Sequence, residues 1–272
     1  MTLRHLNGLD YYVEVAGSGP PLVLLHGFTG SAASWASHLD TFAREFTCVT
    51  VDLPGHGDTE APADPARYAM ERVVEDLVEL CTRLGIARAA WLGYSMGGRL
   101  ALGVGVLAPQ VVTALVLEGA APGLDDPAER AARVASDEAL ATRLEREGLV
   151  PFIDFWERLP LFATQARLPE ERRAILRQQR LLNNPLGLAN SLRGMGQGAQ
   201  PAFRDRLGAV RAPALLLAGE EDAKFRALAA EMAAAMPNAR AATIPGAGHA
   251  AHFEQPGQFD ALVLDFLRAQ GA

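Results

Sequence analysis

The sequence predicts an α/β protein built on one mostly parallel sheet, and three observations support this. Short apolar runs recur along the 272 residues, helix-length polar segments separate them, and most of the runs are near-continuous in apolar residues. Near-continuous apolar runs are typical of strands buried on both faces, as in a parallel sheet covered by helices. At this length the chain can form one large α/β domain, with or without an insertion.

The first predicted strand differs from those that follow it. Apolar and polar residues alternate over residues 11–15, which is the pattern of a half-buried, antiparallel strand. Apolar strands are then predicted at residues 21–25, 48–51, 89–92, 112–117, 214–218 and 241–244, and helices at residues 68–84 and 98–107. The repeated order of strand, helix and strand is typical of a sheet with helices on its faces.

This alternation stops between residues 122 and 202. The segment has no strand-like run, and its pattern predicts amphipathic helices at residues 127–146, 150–158, 169–182 and 185–195. A helical segment between two buried strands is expected to form a cap over the carboxyl edge of the sheet. We therefore predict a core formed by residues 1–121 and 203–272, with a helical cap insertion at residues 122–202.

Composition narrows the class of partner. A net charge of −7 gives no reason to expect nucleic acid or an acidic membrane as a partner. No apolar run reaches the roughly 18 residues that span a bilayer, and the N-terminus lacks the pattern of a signal peptide. Cys48 and Cys81 show no metal or redox spacing. We expect a cytoplasmic protein with a small-molecule partner, without metal or cofactor; the sequence predicts no oligomeric state.

One motif carries the chemistry. Residues 93–97 (GYSMG) follow the predicted strand 89–92 and precede a predicted helix. A serine at a tight strand-to-helix turn is held above the carboxyl end of a sheet, where its hydroxyl can meet a substrate. The turn brings backbone segments so close that glycines are needed two residues before and two after the serine. Ser95 is therefore the candidate reactive residue.

Two further segments supply the partners that a reactive serine needs. Residues 219–222 (GEED) follow one predicted strand, and residues 246–249 (GAGH) follow the last one. A serine hydroxyl becomes reactive when an imidazole accepts its proton, and a carboxylate fixes and stabilises that imidazole. We predict His249 as the base and Asp222 as the acid. The neighbouring Glu220 and Glu221 are rivals, but the shorter aspartate side chain has less conformational freedom.

A fourth element is a candidate oxyanion hole. Residues 25–28 (LHGF) lie at the end of the predicted strand 21–25. Enzymes with a reactive serine at a strand-to-helix turn take one backbone donor of the oxyanion hole from this position. The predicted donors are the N–H groups of Phe28 and Met96, the residue after the serine. Each donor can contribute on the order of 3 kcal/mol to stabilising a developing oxyanion.

The remaining histidines divide into three groups. His26 and His56 are expected to organise loops around the site, whereas His5 and His38 are expected to face solvent. His252 follows His249 closely in the chain and receives no assignment from the sequence.

With these motifs, the chain resembles the α/β-hydrolases over nearly its whole length, and it is closely similar to the 2-succinyl-6-hydroxy-2,4-cyclohexadiene-1-carboxylate synthases of menaquinone biosynthesis. The matching stretches are residues 25–30 (LHGFTG), 51–57 (VDLPGHG), 93–99 (GYSMGGR), 117–119 (LEG), 122–124 (PGL), 155–156 (FW), 180–184 (RLLNN), 219–220 (GE) and 246–252 (GAGHAAH), together with Arg130, Arg133, Ser136, Asp137, Pro160, Phe162, Asp222, Lys224, Phe225 and Arg226. The most discriminating parts are residues 94–99 and the region around Arg133.

The resemblance implies the α/β-hydrolase fold, with a mostly parallel central sheet flanked by helices and a helical cap inserted after the sixth strand. It also implies a lyase that eliminates pyruvate from 2-succinyl-5-enolpyruvyl-6-hydroxy-3-cyclohexene-1-carboxylate, a substrate with three carboxylates. The implied substrate-binding residues are Tyr94, Arg99, Arg133, Trp156, Arg180 and Lys224. The three arginines suit the carboxylates, since a guanidinium can hold a carboxylate through two parallel hydrogen bonds.

Two other readings of the same residues stay open. A serine hydrolase acting on an ester or a carbon–carbon bond would use the same serine, histidine and aspartate, through an acyl-enzyme or an activated water. A ligand receptor on the same fold would bind without turnover. A p-nitrophenyl ester separates these classes, because a hydrolase turns it over quickly and the lyase little or not at all.

Overall fold

The computed structural model describes residues 2–271, which contain eight strands in one sheet. The strands are β1 (Thr2–Leu6), β2 (Leu9–Ala16), β3 (Pro21–Leu25), β4 (Thr47–Val51), β5 (Ala89–Tyr94), β6 (Val112–Glu118), β7 (Ala214–Gly219) and β8 (Ala239–Ile244). Their order in the sheet is β1-β2-β4-β3-β5-β6-β7-β8. Strands β1, β2 and β4 pair antiparallel, and all the other pairs are parallel. The predicted fold class is confirmed.

Helices cover both faces and the carboxyl edge of this sheet. They are α1 (Ala36–Phe42), α2 (Met70–Arg83), α3 (Met96–Leu107), α4 (Pro127–Glu147), α5 (Leu149–Trp156), α6 (Glu170–Leu181), α7 (Pro185–Met195), α8 (Ala223–Ala235), α9 (Ala251–Glu254) and α10 (Pro256–Ala269). Short 3₁₀ segments lie at Ala32–Trp35, Pro65–Tyr68, Pro109–Val111, Pro160–Arg167 and Arg204–Ala209. Within residues 2–271, no helix combines the length and the apolar character that crossing a membrane requires.

The predicted strands are all present, and so are the four helices predicted between residues 122 and 202. Those helices, α4 to α7, follow the sixth strand, as the resemblance implied. The assignment of residues 122–202 as a separate cap remains a prediction. Strand β1 was missed. The signal for it is the turn at Asn7 and Gly8, whose φ angles are 46° and 84°, because Asn-Gly is a strong indicator of a tight hairpin.

The apolar strands are explained by burial on both faces. Along β3, Leu22 and Leu24 pack toward α1 and α10, whereas Val23 and Leu25 pack toward α2 and α3. This follows because successive side chains of a strand point to opposite faces. All four are 0% exposed, and each contributes about 1.5–3 kcal/mol by leaving water. The reactive segments at the carboxyl ends of these strands therefore rest on a rigid base.

The helices between β6 and β7 are joined by polar contacts to two loops of the core, which follow β3 and β4. The side chain of Asn183 donates to the carbonyl of Thr29 at 2.8 Å and accepts from the N–H of Gly57 at 3.1 Å. Asn190 donates to the carbonyl of Pro62 at 3.0 Å. Each bond joins a backbone group of a core loop to a side chain from the region of α6 and α7. The helices thus have one defined position over the sheet.

A close backbone contact completes this attachment and yields a prediction for Gly187→Ala. A Cβ added at Gly187, in α7, would lie 2.3 Å from the carbonyl oxygen of Gly55 and 2.5 Å from its Cα. Backbone atoms cannot rotate away, so the substitution should lower the free energy of unfolding by about 1–3 kcal/mol. Chemical denaturation measures the change.

The matched control is Gly257→Ala in the first turn of α10. No heavy atom lies within 4 Å of a Cβ added there, so the free energy of unfolding should stay constant or rise by up to about 1 kcal/mol. Equal effects of the two substitutions would contradict the close α7 contact.

Candidate active site

The reactive turn lies between β5 and α3. Ser95 has φ 52° and ψ −106°, a conformation that is uncommon and strained for a residue with a side chain. A Cβ on Gly93 would lie 2.1 Å from the carbonyl oxygen of Gly97, and one on Gly97 would lie 2.1 Å from that of Leu25. The N–H of Ser95 donates to the carbonyl of Glu118 at 2.7 Å. The two glycines of the motif are therefore required by the packing of the turn.

Three predicted side chains form a continuous hydrogen-bonded chain. Ser95 Oγ lies 3.0 Å from His249 Nε2, and His249 Nδ1 lies 2.6 Å from Asp222 Oδ2. The other carboxylate oxygen of Asp222 accepts the N–H of Phe225, which fixes its orientation. With Nδ1 facing a carboxylate, that nitrogen carries the proton, and Nε2 is left to accept one from the serine.

The two rival carboxylates point elsewhere. Glu221 forms an exposed ion pair with Arg167, at 2.5 Å. Glu220 accepts the backbone N–H of Gly246 at 3.0 Å. The structure brings only Asp222, among the three neighbouring acids, to the ring of His249.

The predicted oxyanion donors lie beside the serine. Phe28 follows β3, Met96 is the first residue of α3, and both line the same cavity as Ser95. Within residues 2–271, neither backbone N–H donates a hydrogen bond. The N-terminus of a helix adds a favourable dipole for negative charge at this position. The geometry can thus place a substrate oxygen between two free donors.

Two buried histidines organise loops around the site, as predicted: His26 holds the loop that carries Phe28, and His56 Nδ1 lies 3.0 Å from the carbonyl of Pro54 in the neighbouring loop. His26 places Nδ1 2.8 Å from the carbonyl of Gly27, and its Nε2 accepts the N–H of Leu53 at 2.9 Å. Burial, followed by the nearby His56, lowers the pKa of His26 well below its ordinary value. Burial also lowers the pKa of His56 to about 4. Both rings are therefore neutral near pH 7 and act as fixed supports.

A cavity with an empty volume of about 860 Å³ opens above the serine. The predicted residues that line it are Phe28, Tyr94, Ser95, Met96, Arg99, Arg133, Trp156, Lys224 and His249. Aromatic rings form one wall, since the ring centroid of Trp156 lies 5.1 Å from that of Phe28. The cavity therefore combines an apolar wall, a reactive hydroxyl and cationic side chains.

The two arginines of the cavity carry positive charge that is only partly neutralised. Arg99 donates to the neutral side chain of Gln200 at 3.0 Å, and within residues 2–271 it forms no ion pair. Arg133 pairs with Asp137 at 2.8 Å and donates to Gln197 at 2.8 Å. Burial, followed by the charge of Arg133, lowers the pKa of Arg99 to about 10. A bound carboxylate would relieve both the burial of the charge and this repulsion.

Arg180 is the predicted residue that the structure does not bring to this cavity. It pairs with Glu157 at 3.1 Å and lies 3.4 Å from the side-chain oxygen of Gln165. It lines a second cavity with an empty volume of about 490 Å³. The two cavities share Phe28, Tyr94 and Phe162 as a common wall. Arg180 thus lies next to the serine cavity rather than in it.

Two glutamines, which the sequence does not predict as site residues, orient Arg99 and Arg133. Gln197 and Gln200 come from the short segment between α7 and β7, and each accepts a hydrogen bond from a cavity arginine. Gln200 is fixed in turn, because its amide donates to the carbonyl of Ala121 at 3.1 Å. The only sequence signal is a glycine- and glutamine-rich stretch, residues 196–200, which matches no catalytic motif.

The expectation that His38 faces solvent is wrong. Its side chain is 1% exposed and lies 2.5 Å from Asp260. The reason is a contact across 222 residues of sequence, which no local pattern reveals. His5 does face solvent, with its side chain 68% exposed beside Asp10.

The chain is similar to known proteins over most of its length. A family model described as the alpha/beta hydrolase fold matches residues 20–256. The chain belongs to the α/β-hydrolase family. This α/β-hydrolase is 44% identical over 265 residues to a Bacillus subtilis (strain 168) protein provisionally named 2-succinyl-6-hydroxy-2,4-cyclohexadiene-1-carboxylate synthase, with 96% of each chain covered.

Two further comparisons agree. An Escherichia coli O1:K1 / APEC protein named as the same synthase is 36% identical over 249 residues, covering 92% of this chain and 94% of that protein. Among solved structures, that of MenH from S. aureus has a TM-score of 0.92 and 34% identity, covering 96% of this chain and 99% of that one. The similarity extends through the segment between β6 and β7. That segment contains Gln197 and Gln200, the hydrogen-bond partners of the two cavity arginines.

Proposed function

We propose that the protein is a carbon–oxygen lyase of menaquinone (vitamin K2) biosynthesis. It eliminates pyruvate from 2-succinyl-5-enolpyruvyl-6-hydroxy-3-cyclohexene-1-carboxylate to give 2-succinyl-6-hydroxy-2,4-cyclohexadiene-1-carboxylate. The observation that carries the proposal is the presence of Arg99 and Arg133 in the same cavity as the Ser95–His249–Asp222 chain. The named relatives support the choice of substrate.

The elimination begins with a carbon acid. The ring carbon that bears the succinyl group is next to a ketone, so loss of its proton gives a stabilised enolate. Ser95, made basic by His249 and Asp222, takes that proton. The N–H groups of Phe28 and Met96 stabilise the developing enolate oxygen. The electrons then move through the ring double bond and expel the enolpyruvyl group from the opposite carbon.

The carboxylates of the substrate determine how it is held. Arg99 and Arg133 bind carboxylates on the side of the cap helices, and Lys224 adds a further cation at the cavity wall. Tyr94 and Trp156 enclose the ring. Burial raises the pKa of Tyr94 well above its ordinary value, so its hydroxyl stays neutral beside the anionic substrate. Arg180 is available from the adjoining cavity.

The proposed reaction requires no redox change, so the proposal includes neither metal nor cofactor, and its partner is the small tricarboxylate rather than nucleic acid or membrane. We also propose a cytoplasmic location, because a substrate with three negative charges does not diffuse through a lipid bilayer.

A serine hydrolase acting on an ester or a carbon–carbon bond of a small carboxylate is the alternative. The strained turn at Ser95 supports the hydrolase and the lyase equally, whereas Arg99 and Arg133 support the lyase.

The first test measures pyruvate release from the enolpyruvyl substrate by the wild type and by Ser95→Ala, His249→Ala and their double variant. Each single change should lower kcat by several orders of magnitude without unfolding the protein. The double change should cost little more than either alone, because residues that act as a unit are not additive. Near-additive losses would argue against a shared proton relay, and no release by the wild type would remove the proposal.

The second test concerns the carboxylate anchors. Arg99→Ala and Arg133→Ala should each weaken use of the tricarboxylate by about 2–5 kcal/mol in kcat/KM, since each leaves a substrate charge unpaired. Hydrolysis of a small neutral ester, if detectable, should change little. Arg193→Ala is the control, because Arg193 also lies on the cap helices but pairs with Glu138 and Glu145 outside the cavity. Equal losses on tricarboxylate and ester would exclude an anion-binding role.

The third test separates base from nucleophile. A base mechanism predicts that enzyme quenched during turnover carries no substrate adduct on the Ser95 peptide, as seen by mass spectrometry. Deuterium at the acidic ring position should slow the reaction where proton removal limits the rate. An adduct on Ser95 that forms and decays at the rate of turnover would instead assign nucleophilic catalysis.

A further inference from the structure

The segment that follows α7, residues 196–200 (GQGAQ), lies directly on helix α4. We call it the amide segment. A Cβ added at Gly198 would lie 2.6 Å from the backbone nitrogen of Val134, and one at Gly196 would lie 2.5 Å from Oδ2 of Asp137. Glycine permits such a close approach because it has no side chain. The two glycines therefore fix the position from which the glutamines of the segment reach the cavity arginines.

The amide segment gives each cavity arginine a neutral acceptor. Gln197 Oε1 accepts from Arg133 at 2.8 Å, and Gln200 Oε1 accepts from Arg99 at 3.0 Å. Both glutamines are buried. The backbone carbonyl of Gln200 also accepts from a third guanidinium, that of Arg130, at 3.0 Å. Amide and carbonyl oxygens orient a guanidinium without neutralising its charge, because they carry no formal charge themselves.

The groups joined by these hydrogen bonds carry an excess of positive charge. Their one carboxylate is Asp137, which accepts from Arg133 at 2.8 Å. Within residues 2–271, neither Arg99 nor Arg130 forms an ion pair. Three guanidinium charges and one carboxylate charge give a net charge of +2. Arg99 and Arg133 present this charge to the serine cavity, where two carboxylates of a ligand would neutralise it.

Orienting the arginines does not by itself require glutamine. A glutamate at position 197 would accept the same hydrogen bond from Arg133, and more strongly, because a bond between two charged groups is stronger than one to a neutral amide. It would also reduce the net charge from +2 to +1. Neutrality is therefore the property in which the amide differs from the carboxylate of the same shape.

We propose that Gln197 and Gln200 determine the charge specificity of the serine cavity, and that the end of the cavity they support takes two carboxylates of one ligand. The inference rests on the proposed function and deepens it, because it assigns two of the three substrate carboxylates to this end. Both glutamines act through Arg99 and Arg133 and are positioning residues. A ligand with one carboxylate leaves a guanidinium charge unpaired, and a glutamate at position 197 would compete with the ligand for Arg133.

A comparison of Gln197→Glu with Gln197→Met tests whether neutrality or the hydrogen bond matters. Gln197→Glu should raise KM for the enolpyruvyl substrate on the order of 10-fold or more, and Gln197→Met by less than about 3-fold. In both variants kcat should fall by a smaller factor than KM rises. A role confined to the hydrogen bond predicts the opposite order, because glutamate keeps that bond and methionine loses it. A larger rise in KM for Gln197→Met would overturn the proposal.

A second measurement needs no turnover. The probes are succinate, with two carboxylates, and succinamate, in which one carboxylate is an amide, and calorimetry gives Kd for each. The wild type should bind succinate on the order of 10-fold more tightly than succinamate. That ratio should fall to about 3-fold or less in Gln197→Glu and persist in Gln197→Met. A purely structural loss would weaken both probes equally, and an unchanged ratio in Gln197→Glu would overturn the proposal.

The matched control is Gln178→Glu, which adds the same charge at an exposed position of α6 that lines neither cavity. Its KM and its ratio of Kd values should stay within about 2-fold of the wild type, since exposed charges are well screened. If Gln197→Glu fails to fold, Gln200→Glu and Gln200→Met form an independent pair beside Arg99, with the same expected order of KM.

Failure of this inference is distinguishable from failure of the proposed function. Absence of pyruvate release by the wild type refutes the proposed function. Normal release, with the same preference for succinate in the wild type and in Gln197→Glu, refutes only the charge role of the glutamines.

Discussion

The strained backbone at Ser95 is the constraint on which the remaining structure depends. A residue with φ 52° persists only where its surroundings fix it. Here its N–H donates to the end of β6, while Gly93 and Gly97 allow β5, α3 and the end of β3 to approach within contact distance. This packing places the hydroxyl, the N–H of Met96 and the loop of Phe28 around one point. The cavity is arranged around that point.

The two ends of the serine cavity differ in charge: one carries Ser95 and His249, and the other carries Arg99 and Arg133. Near Ser95, the Asp222 carboxylate is hydrogen-bonded to the His249 ring, with Oδ2 2.6 Å from Nδ1. On the side of helices α4 to α7, Arg99 donates to the neutral amide of Gln200 and forms no ion pair within residues 2–271, which leaves positive charge for an anionic ligand to neutralise. The cavity therefore has a hydrogen-bonded chain of serine, histidine and aspartate at one end and a positive charge without an ion-pair partner, within residues 2–271, at the other. The aromatic rings of Phe28 and Trp156, which form one wall of this cavity, lower the local dielectric and so strengthen both sets of interactions.

The sheet and the hydrogen-bonded chain of Ser95, His249 and Asp222 could be predicted from sequence because their signals are local. A buried strand requires an apolar run, and a tight turn at Ser95 requires glycines at fixed spacing. The partners of the arginines could not be predicted in this way. Gln200 meets Arg99 across 101 residues of sequence, and glutamine in a loop has no distinctive pattern. The prediction that His38 faces solvent failed for the same reason, since its partner Asp260 lies 222 residues away. The separation of Arg180 from the serine cavity depends on how helices α4 to α7 pack.

The contact between Gly55 and Gly187 has a consequence for how this family can diversify. Main-chain atoms of the core loop touch main-chain atoms of α7, with no side chain between them. Substitutions elsewhere on the outer surface of helices α4 to α7 leave the contact between Gly55 and Gly187 unaltered. Residues of these helices that line the cavity can therefore change while the distance between α7 and the Ser95 hydroxyl stays constant. One scaffold can in this way acquire new specificities without rebuilding its chemistry.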